Sequence, residues 1–323
     1  MSDVPGSVYS SERGEPRTAL ARWRHRVSGP GPWLLVVRFE LPSWWDTSPP
    51  EPLAAIYLLE QNGDLHCSVT NQPLEQSASS AREQFRVWQE ALQLLVVTPG
   101  NPLPLVVTAI AKPWGRELWY TGVEARGVCR FGDDRASAPI PWLQAVLPND
   151  AAGTPGRPLV LLKVLDPSPD EVIGDLYFEL HAEKREVYVV THVDSRAWPD
   201  GTGYIRYGFC PERIAAAGSE AAFRQAYRNA VAAYEAVRRR IDGVTDPNTV
   251  PSHLREEELR LREAKYAFTY SRPMRVGDVV VLPMNMPHSI KHGVRTIEYQ
   301  NPVYELKNRT FDQRDMTQDH WDT

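Results

Sequence analysis

The stretch Gly277–Asn301, GDVVVLPMNMPHSIKHGVRTIEYQN, leaves the chain little conformational choice. Val279–Leu282 is a β-branched apolar run that Pro283 stops, and Pro287 closes the same turn. Proline donates no ladder hydrogen bond, so neither neighbouring strand continues through Met284–Met286. His288 opens a return strand that Gly293 ends, giving strand, turn, strand, turn, strand. Side chains alternate along a strand, so His288, Ile290 and His292 share one face and Ser289 and Lys291 the other. A histidine held where a strand leaves a proline turn suits a metal ligand facing a sheet interior. The same residues also read as a hairpin whose histidine merely packs.

The 323 residues suffice for one large domain or two small ones with a real core. A net charge of −5 with acids and bases interspersed offers no nucleic-acid surface. Cys67, Cys129 and Cys210 stand far apart in no metal or redox spacing, which favours free thiols in a reducing cytoplasm. MSDVPGSVYSSERGEP lacks the apolar core of a signal peptide, and no apolar run is long enough to span a bilayer. The reading is of a soluble, cytoplasmic protein.

Residues 1–18 are polar and rich in Ser, Gly and Pro, and are expected to be loose. Trp33–Leu41, Leu53–Leu59 and Leu65–Thr70 read as strands, the last two joined by a turn at Gln61–Asp64. Ser77–Leu95 reads as a helix, with Phe85, Trp88, Ala91, Leu92 and Leu95 on one face. Trp44-Trp45 is a packing pair or a sugar-stacking platform. Further on, Tyr204–Phe209 reads as a strand and Ser219–Asp242 as a helix with Phe223, Tyr227, Val231, Tyr234 and Val237 as its stripe. Asp246-Pro247-Asn248 breaks the chain before a charged helix over Ser252–Lys265.

Two segments carry charge where core is expected. Lys163 interrupts the apolar strand LVLLKVLD, which is costly unless its ammonium reaches an acid or a ligand. Glu179 and His181, two apart on a strand, project from one face about 6.6 Å apart along the backbone, and Glu186 starts the paired strand.

Gly277, Pro283 and His288 resemble the second signature of the cupin barrel, G-x5-P-x4-H-x3-N, with His292 in place of the final Asn. VGDVVVLPMNMPHSIKHGVRTIEYQ is similar to the "PGD…IP…H…GV…IE.Q" run of type I phosphomannose isomerases. Glu179-x-His181-x4-Glu186 resembles the first cupin signature, with Glu where the isomerases carry Gln. KPWGRELW resembles their K/R-x-W-G segment, LVLLKVLD their "LLKFLDA", and NRTFDQR their "YRLYDYDR". The likeness runs roughly from Lys112 to Arg314.

The resemblance implies a mainly β fold: a cupin (jelly-roll) β-barrel over 105–323 with a helical insertion at 219–266, behind an N-terminal α+β extension over 1–104. It implies one divalent metal ion, zinc with manganese or iron as alternatives, held by Glu179, His181, Glu186 and His288. Lys163 and Arg309 take the catalytic positions, and Lys112, Trp114, Arg116 and His292 border a sugar-phosphate site. The implied activity is aldose–ketose isomerisation of a phosphorylated hexose, mannose 6-phosphate above all. Departures are the Glu at 179, the short loop before Glu186, the missing second barrel and the added front block. They keep open another metal-dependent cupin activity, an oxygenase or free-sugar isomerase, and a non-catalytic sugar-binding role.

Overall fold

The computed structural model describes residues 9–125, 127–148, 151, 159–170, 178–303 and 305. The chain divides into two compact units, Met1–Thr108 with Trp119–Leu159, and Ala109–Leu118 with Val160–Thr323. The segment Trp119–Leu159 therefore goes with the first unit, whereas the sequence reading began the second domain at 105.

The first unit is built on a four-stranded sheet ordered β1 (Tyr9–Arg13), β2 (Trp33–Leu41), β3 (Glu51–Leu59), β4 (Leu65–Thr70). β2 explains the arrangement, because Leu34, Leu35, Val36 and Val37 are all fully buried and so demand cover on both faces. Helix Ala81–Leu92 covers one face through Phe85 and Trp88. Helices Pro16–Arg26 and Ile140–Val146 cover the other through Trp23 and Leu143. The N-terminal stretch expected to be loose is ordered from Tyr9 onwards. β1 lies parallel to β2, from Tyr9↔Leu34 to Arg13↔Arg38. Its sequence, YSSER, has no apolar alternation, so backbone pairing and the Arg38–Ser11 hydrogen bond hold it instead. Glu15 then caps the first helix by accepting from the backbone N–H groups of Arg17 and Thr18. The rest of this unit's strands are short: β5 (Leu105–Val106), β8 (Val123–Glu124), β9 (Gly127–Val128), β10 (Arg130–Gly132) and β11 (Ser137–Pro139).

The second unit holds two open sheets. Six strands run in the order β16 (Val279–Leu282), β13 (Glu186–Val193), β18 (Val294–Gln300), β12 (Leu161–Pro167), β7 (Gly115–Trp119), β6 (Thr108–Lys112). Three more follow the order β15 (Thr269–Met274), β14 (Gly203–Phe209), β17 (His288–Ile290). One core joins them: Trp114, Leu165, Tyr188, Val190, Val280 and Leu282 meet Ile205, Met274 and Ile290. The Pro283–Pro287 turn is what crosses between the sheets. β16 pairs with β13, while β17 pairs with β14, so these two strands do not form a hairpin with each other. Asn285 turns the chain with a positive φ of 62°. Helices Glu220–Asp242 and Ser252–Tyr266 follow β14, and the first presents the stripe read from the sequence, with Phe223, Tyr227, Val231, Tyr234 and Val237 buried. Most of the charged run 255–263 is solvated, but Glu258 is buried beside Arg262.

Strand content dominates, and among the described residues no sheet closes on itself. A mainly β protein with helical additions is thus what the chain forms.

Gly115 links the Trp-Gly turn to β12. Its φ is +144°, and a Cβ there would lie 2.4 Å from the Asp166 carbonyl oxygen. Backbone meets backbone, so neither partner yields cheaply. Gly115→Ala is expected to cost about 2–4 kcal/mol of stability, read by urea denaturation. A change within about 0.5 kcal/mol would show that this contact does not fix the turn.

Candidate metal centre

Lys163, Glu186 and Glu298 of the second unit gather on the inner face of its six-stranded sheet. Register places them in rows. Lys163 pairs with Glu298, which pairs with Tyr188, and Glu186 pairs with both Gln300 and Leu282. Strict alternation on β12, β13 and β18 sends all of these side chains to the buried side. The turn between the sheets then brings His288 over Glu186, and Glu179 joins His288 in a single antiparallel bridge through Glu179 N–H to His288 O at 3.0 Å and His288 N–H to Glu179 O at 2.9 Å. The expected strand through Glu179 and His181 shrinks to that one bridge. His181 is nonetheless fixed, because its carbonyl accepts from Asn285 N–H at 2.6 Å.

Glu179, His181 and His288 each offer an atom within 4.8 Å of the others. Glu186 stands beside them, with Oε1 3.6 Å from His181 Nε2 and Oε2 3.1 Å from His288 Nε2. Glu179 Oε1 is 3.8 Å from His181 Nε2. His288 donates Nδ1–H to the Met286 carbonyl at 2.9 Å, which leaves Nε2 facing the cluster. Both ring nitrogens of His181 are buried without a hydrogen-bond partner, while Glu186 Oε1 is ion-paired to Lys184. Buried polar atoms are rarely left so, and two imidazoles with two carboxylates match a divalent first shell. These residues fit a metal ion.

Cations already balance much of the charge. Lys184 Nζ lies 2.5 Å from Glu186 Oε1 and Lys163 Nζ 3.2 Å from Glu298 Oε1. Lys112 Nζ pairs with Glu117 at 3.3 Å. Burial works against the Lys163 ammonium, but Glu298, Glu117 and Glu186 outweigh it and raise its pKa. Lys184 is raised for the same reason, burial being overcome by Glu179 and Glu186. Burial would push Glu186 up, yet the His288 hydrogen bond and Lys184 hold it well below the usual range. Glu298 goes the other way: burial and the Glu186 charge raise it well above that range. The two histidines also diverge. Burial dominates at His181 and lowers it to about 4, whereas at His288 burial is outweighed by Glu186 and the net direction is upward.

The structure thus brings together Glu179, His181, Glu186, His288 and Lys163. Lys112 pairs with Glu117, whose charge Lys163 feels. The other residues read as bordering the site are placed elsewhere. Trp114 is buried in the inter-sheet core. Arg116, adjacent to inward-facing Glu117, points to the opposite face, where its Nε donates to Asp166 at 2.8 Å. His292 sits in the turn after β17, stacked on Trp198 with ring centroids 5.0 Å apart. Arg309 lies outside the described residues.

Sequence reasoning missed Lys184, Glu298 and Glu305. Glu298 carried a signal, since VRTIEYQ alternates with Glu298 in the inward register, the argument used for Lys163. Lys184 carried none, because it lies in a turn. That turn is held by Glu305, whose Oε2 accepts from the backbone N–H groups of Ala182, Glu183 and Lys184 at 2.9, 2.9 and 3.2 Å.

No protein-family profile matches the chain, and no curated protein matches its sequence. Among solved structures, mannose 6-phosphate isomerase from Bacillus subtilis is similar at 12% identity and a TM-score of 0.43, covering 68% of this chain and 64% of that one. A zinc-bound mannose 6-phosphate isomerase is similar at 10% identity and a TM-score of 0.39, covering 64% and 69%. A point variant of phosphomannose isomerase from Salmonella typhimurium is similar at 11% identity and a TM-score of 0.37, covering 63% and 68%. The chain therefore spans 64% of the length of the Bacillus protein. Likenesses this distant carry no argument about chemistry.

In metal-free protein, imidazole nitrogen NMR is expected to show His181 neutral until the pH falls to about 4 and His288 still protonated above its ordinary value of 6.5. The sign follows from linkage. His181 binds its proton more readily unfolded, so its contribution to stability is complete above the unfolded value and is lost as pH falls towards about 4. His288 contributes at low pH and loses its share as pH rises through its folded value. Two rings titrating together near 6.5 would contradict the burial and pairing described.

Proposed function

We propose that the chain is a divalent-metal-dependent aldose–ketose isomerase of a phosphorylated hexose, with mannose 6-phosphate to fructose 6-phosphate as its reaction. In this reading the two sheets of the second unit are those of a cupin jelly-roll. Glu179, His181, Glu186 and His288 hold the ion, zinc first, with manganese or iron favoured by the second carboxylate. The observation that carries it is the convergence of Glu179, His181 and His288 on one point beside Glu186, with both His181 ring nitrogens buried and unpartnered. Three free cysteines support a reducing compartment such as the cytoplasm. No helix among the described residues is long and apolar enough to cross a membrane.

A bound divalent ion supplies Lewis acidity towards a sugar carbonyl and its neighbouring hydroxyl. The chain's own residues supply the rest. Lys163 and Lys184 set two ammonium groups on the buried side of the sheet, where negative charge gathering on substrate oxygens is stabilised without solvent reorganisation. Glu298, whose carboxyl is pushed above the usual range by burial and the Glu186 charge, stands between Glu186 and Lys163 and is the group proposed to exchange a proton with a sugar carbon or oxygen. Lys112, paired with Glu117, and Arg309, beyond the described residues, are the cations proposed for the phosphate.

A second reading has its own observation. Lys163 is committed to Glu298 and Arg116 to Asp166, which leaves fewer cations for a phosphate and favours a metal-dependent reaction on an uncharged sugar.

Metal-loaded protein incubated with mannose 6-phosphate in deuterated water is expected to form fructose 6-phosphate carrying solvent label at C1, with label at C2 of the mannose 6-phosphate re-formed from it. Lys163→Met is expected to lower kcat/KM on the order of a hundredfold, about 2.7 kcal/mol of transition-state stabilisation. Fully metallated protein that labels no hexose phosphate would contradict the isomerase reading. Label appearing in free mannose alone would move the assignment to the second one.

A further inference from the structure

The outer face of the six-stranded sheet is apolar where a solvent-facing side should be polar. Register builds a grid of two rows across four strands. Val281, Val187, Tyr299 and Leu162 form one row, and Val279, Val189, Ile297 and Val164 the other. Val279, Val281 and Tyr299 are exposed, at 57%, 58% and 45%, as is Val160 beyond the first row at 55%, while Leu162, Val164, Val187, Val189 and Ile297 are half-buried. A sheet wetted on one side reads as apolar–polar alternation, whereas VVVL in β16 and EVYVV in β13 read as strands covered on both sides. No charge interrupts the grid. Arg116, Asp166 and Arg295 form an ion-paired cluster on this same face, at one end of it.

We infer that this face is the interface of a dimer, packed against the same face of a second copy of the chain. Area supports that occupant. Four strands about 4.8 Å apart and two rows about 7 Å apart give an apolar grid on the order of 300 Å². That is at the upper limit of what a monomer exposes. The six strands hold 36 residues, and at about 3.3 Å per residue and about 4.8 Å between strands the whole face is about 570 Å². This lies near the lower end of the roughly 600–1,000 Å² that each partner buries in a stable dimer. The grid then forms the dry centre and the Arg116–Asp166–Arg295 cluster part of the polar rim. Shape points the same way. The surface is a sheet of short branched side chains with no groove for a peptide, and a two-fold axis lets one such sheet stack on another about 10 Å away.

Sedimentation velocity of the full chain from about 1 to 100 µM tests this. The expected species has twice the 36.5 kDa chain mass. Val281→Glu and Val187→Lys, on the outer face away from the metal cluster, should each weaken association at least a hundredfold and leave a folded monomer by circular dichroism. If either fails to fold, the shape-conserving pair Val279→Thr with Val281→Thr should still weaken association at least tenfold. Wild-type protein at the single-chain mass throughout would overturn the inference. So would a dimer whose dissociation constant none of these substitutions moves.

Discussion

Everything about the second unit depends on keeping the Glu186 carboxylate charged while buried at 2% exposure. Taking an ion of that size out of water costs several kcal/mol unless its oxygens are satisfied. Here His288 donates to Oε2 at 3.1 Å, Tyr188 Oη to the same oxygen at 3.2 Å, and Lys184 lies against Oε1. Each partner arrives from a different place: the inter-sheet turn, the neighbouring inward position of β13, and the loop cradled by Glu305. A polar centre assembled from separate segments holds its geometry only if all of them are positioned at once. The inter-sheet core, the bridge between Glu179 and His288, and the Glu305 contacts do that positioning.

The electrostatics follow from the same confinement. Carboxylates at 186 and 298 sit among ammonium groups at 163 and 184, so each pKa reports its neighbours more than its chemistry. Glu186 and Glu298 are driven apart, the first below and the second above the usual carboxylate range. His181 and His288 diverge similarly, one neutral ring with free nitrogens and one tied to a carboxylate. Groups of one chemical type with opposed protonation are what acid–base chemistry requires. A divalent ion entering this cluster would compete with the His288 proton and the Lys184 ammonium for the Glu186 oxygens.

Much of this was legible in the sequence where period and proline speak clearly. The bounds of β2 and β4 were readable from apolar runs, and the helix over 220–242 from its aromatic stripe. His288 announced itself by its turn. Lys163 did so by interrupting an apolar run, and the structure puts it at the cluster. What the sequence did not carry is informative. YSSER has no apolar period because β1 is held by backbone pairing and by side-chain contacts such as Arg38 with Ser11 and Tyr9 with Trp88. His292 shares parity with His288, but the strand ends at Ile290, so alternation no longer applies and the ring turns to Trp198. Arg116 borders a sugar-phosphate site in the resemblance, yet sheet alternation assigns it to the opposite face. Lys184 and Glu305 meet only through tertiary structure, which no local period encodes.

The central claim is that Glu179, His181, Glu186 and His288 bind one divalent ion as a unit. The direct measurement is metal content by mass spectrometry, after loading with zinc and removal of excess, for the wild type beside His288→Ala and His181→Ala. The account predicts about one ion per chain in the wild type and loss of it in both variants, with circular dichroism unchanged. Wild-type protein that retains no ion, or a His288→Ala variant that keeps a full complement, would contradict it.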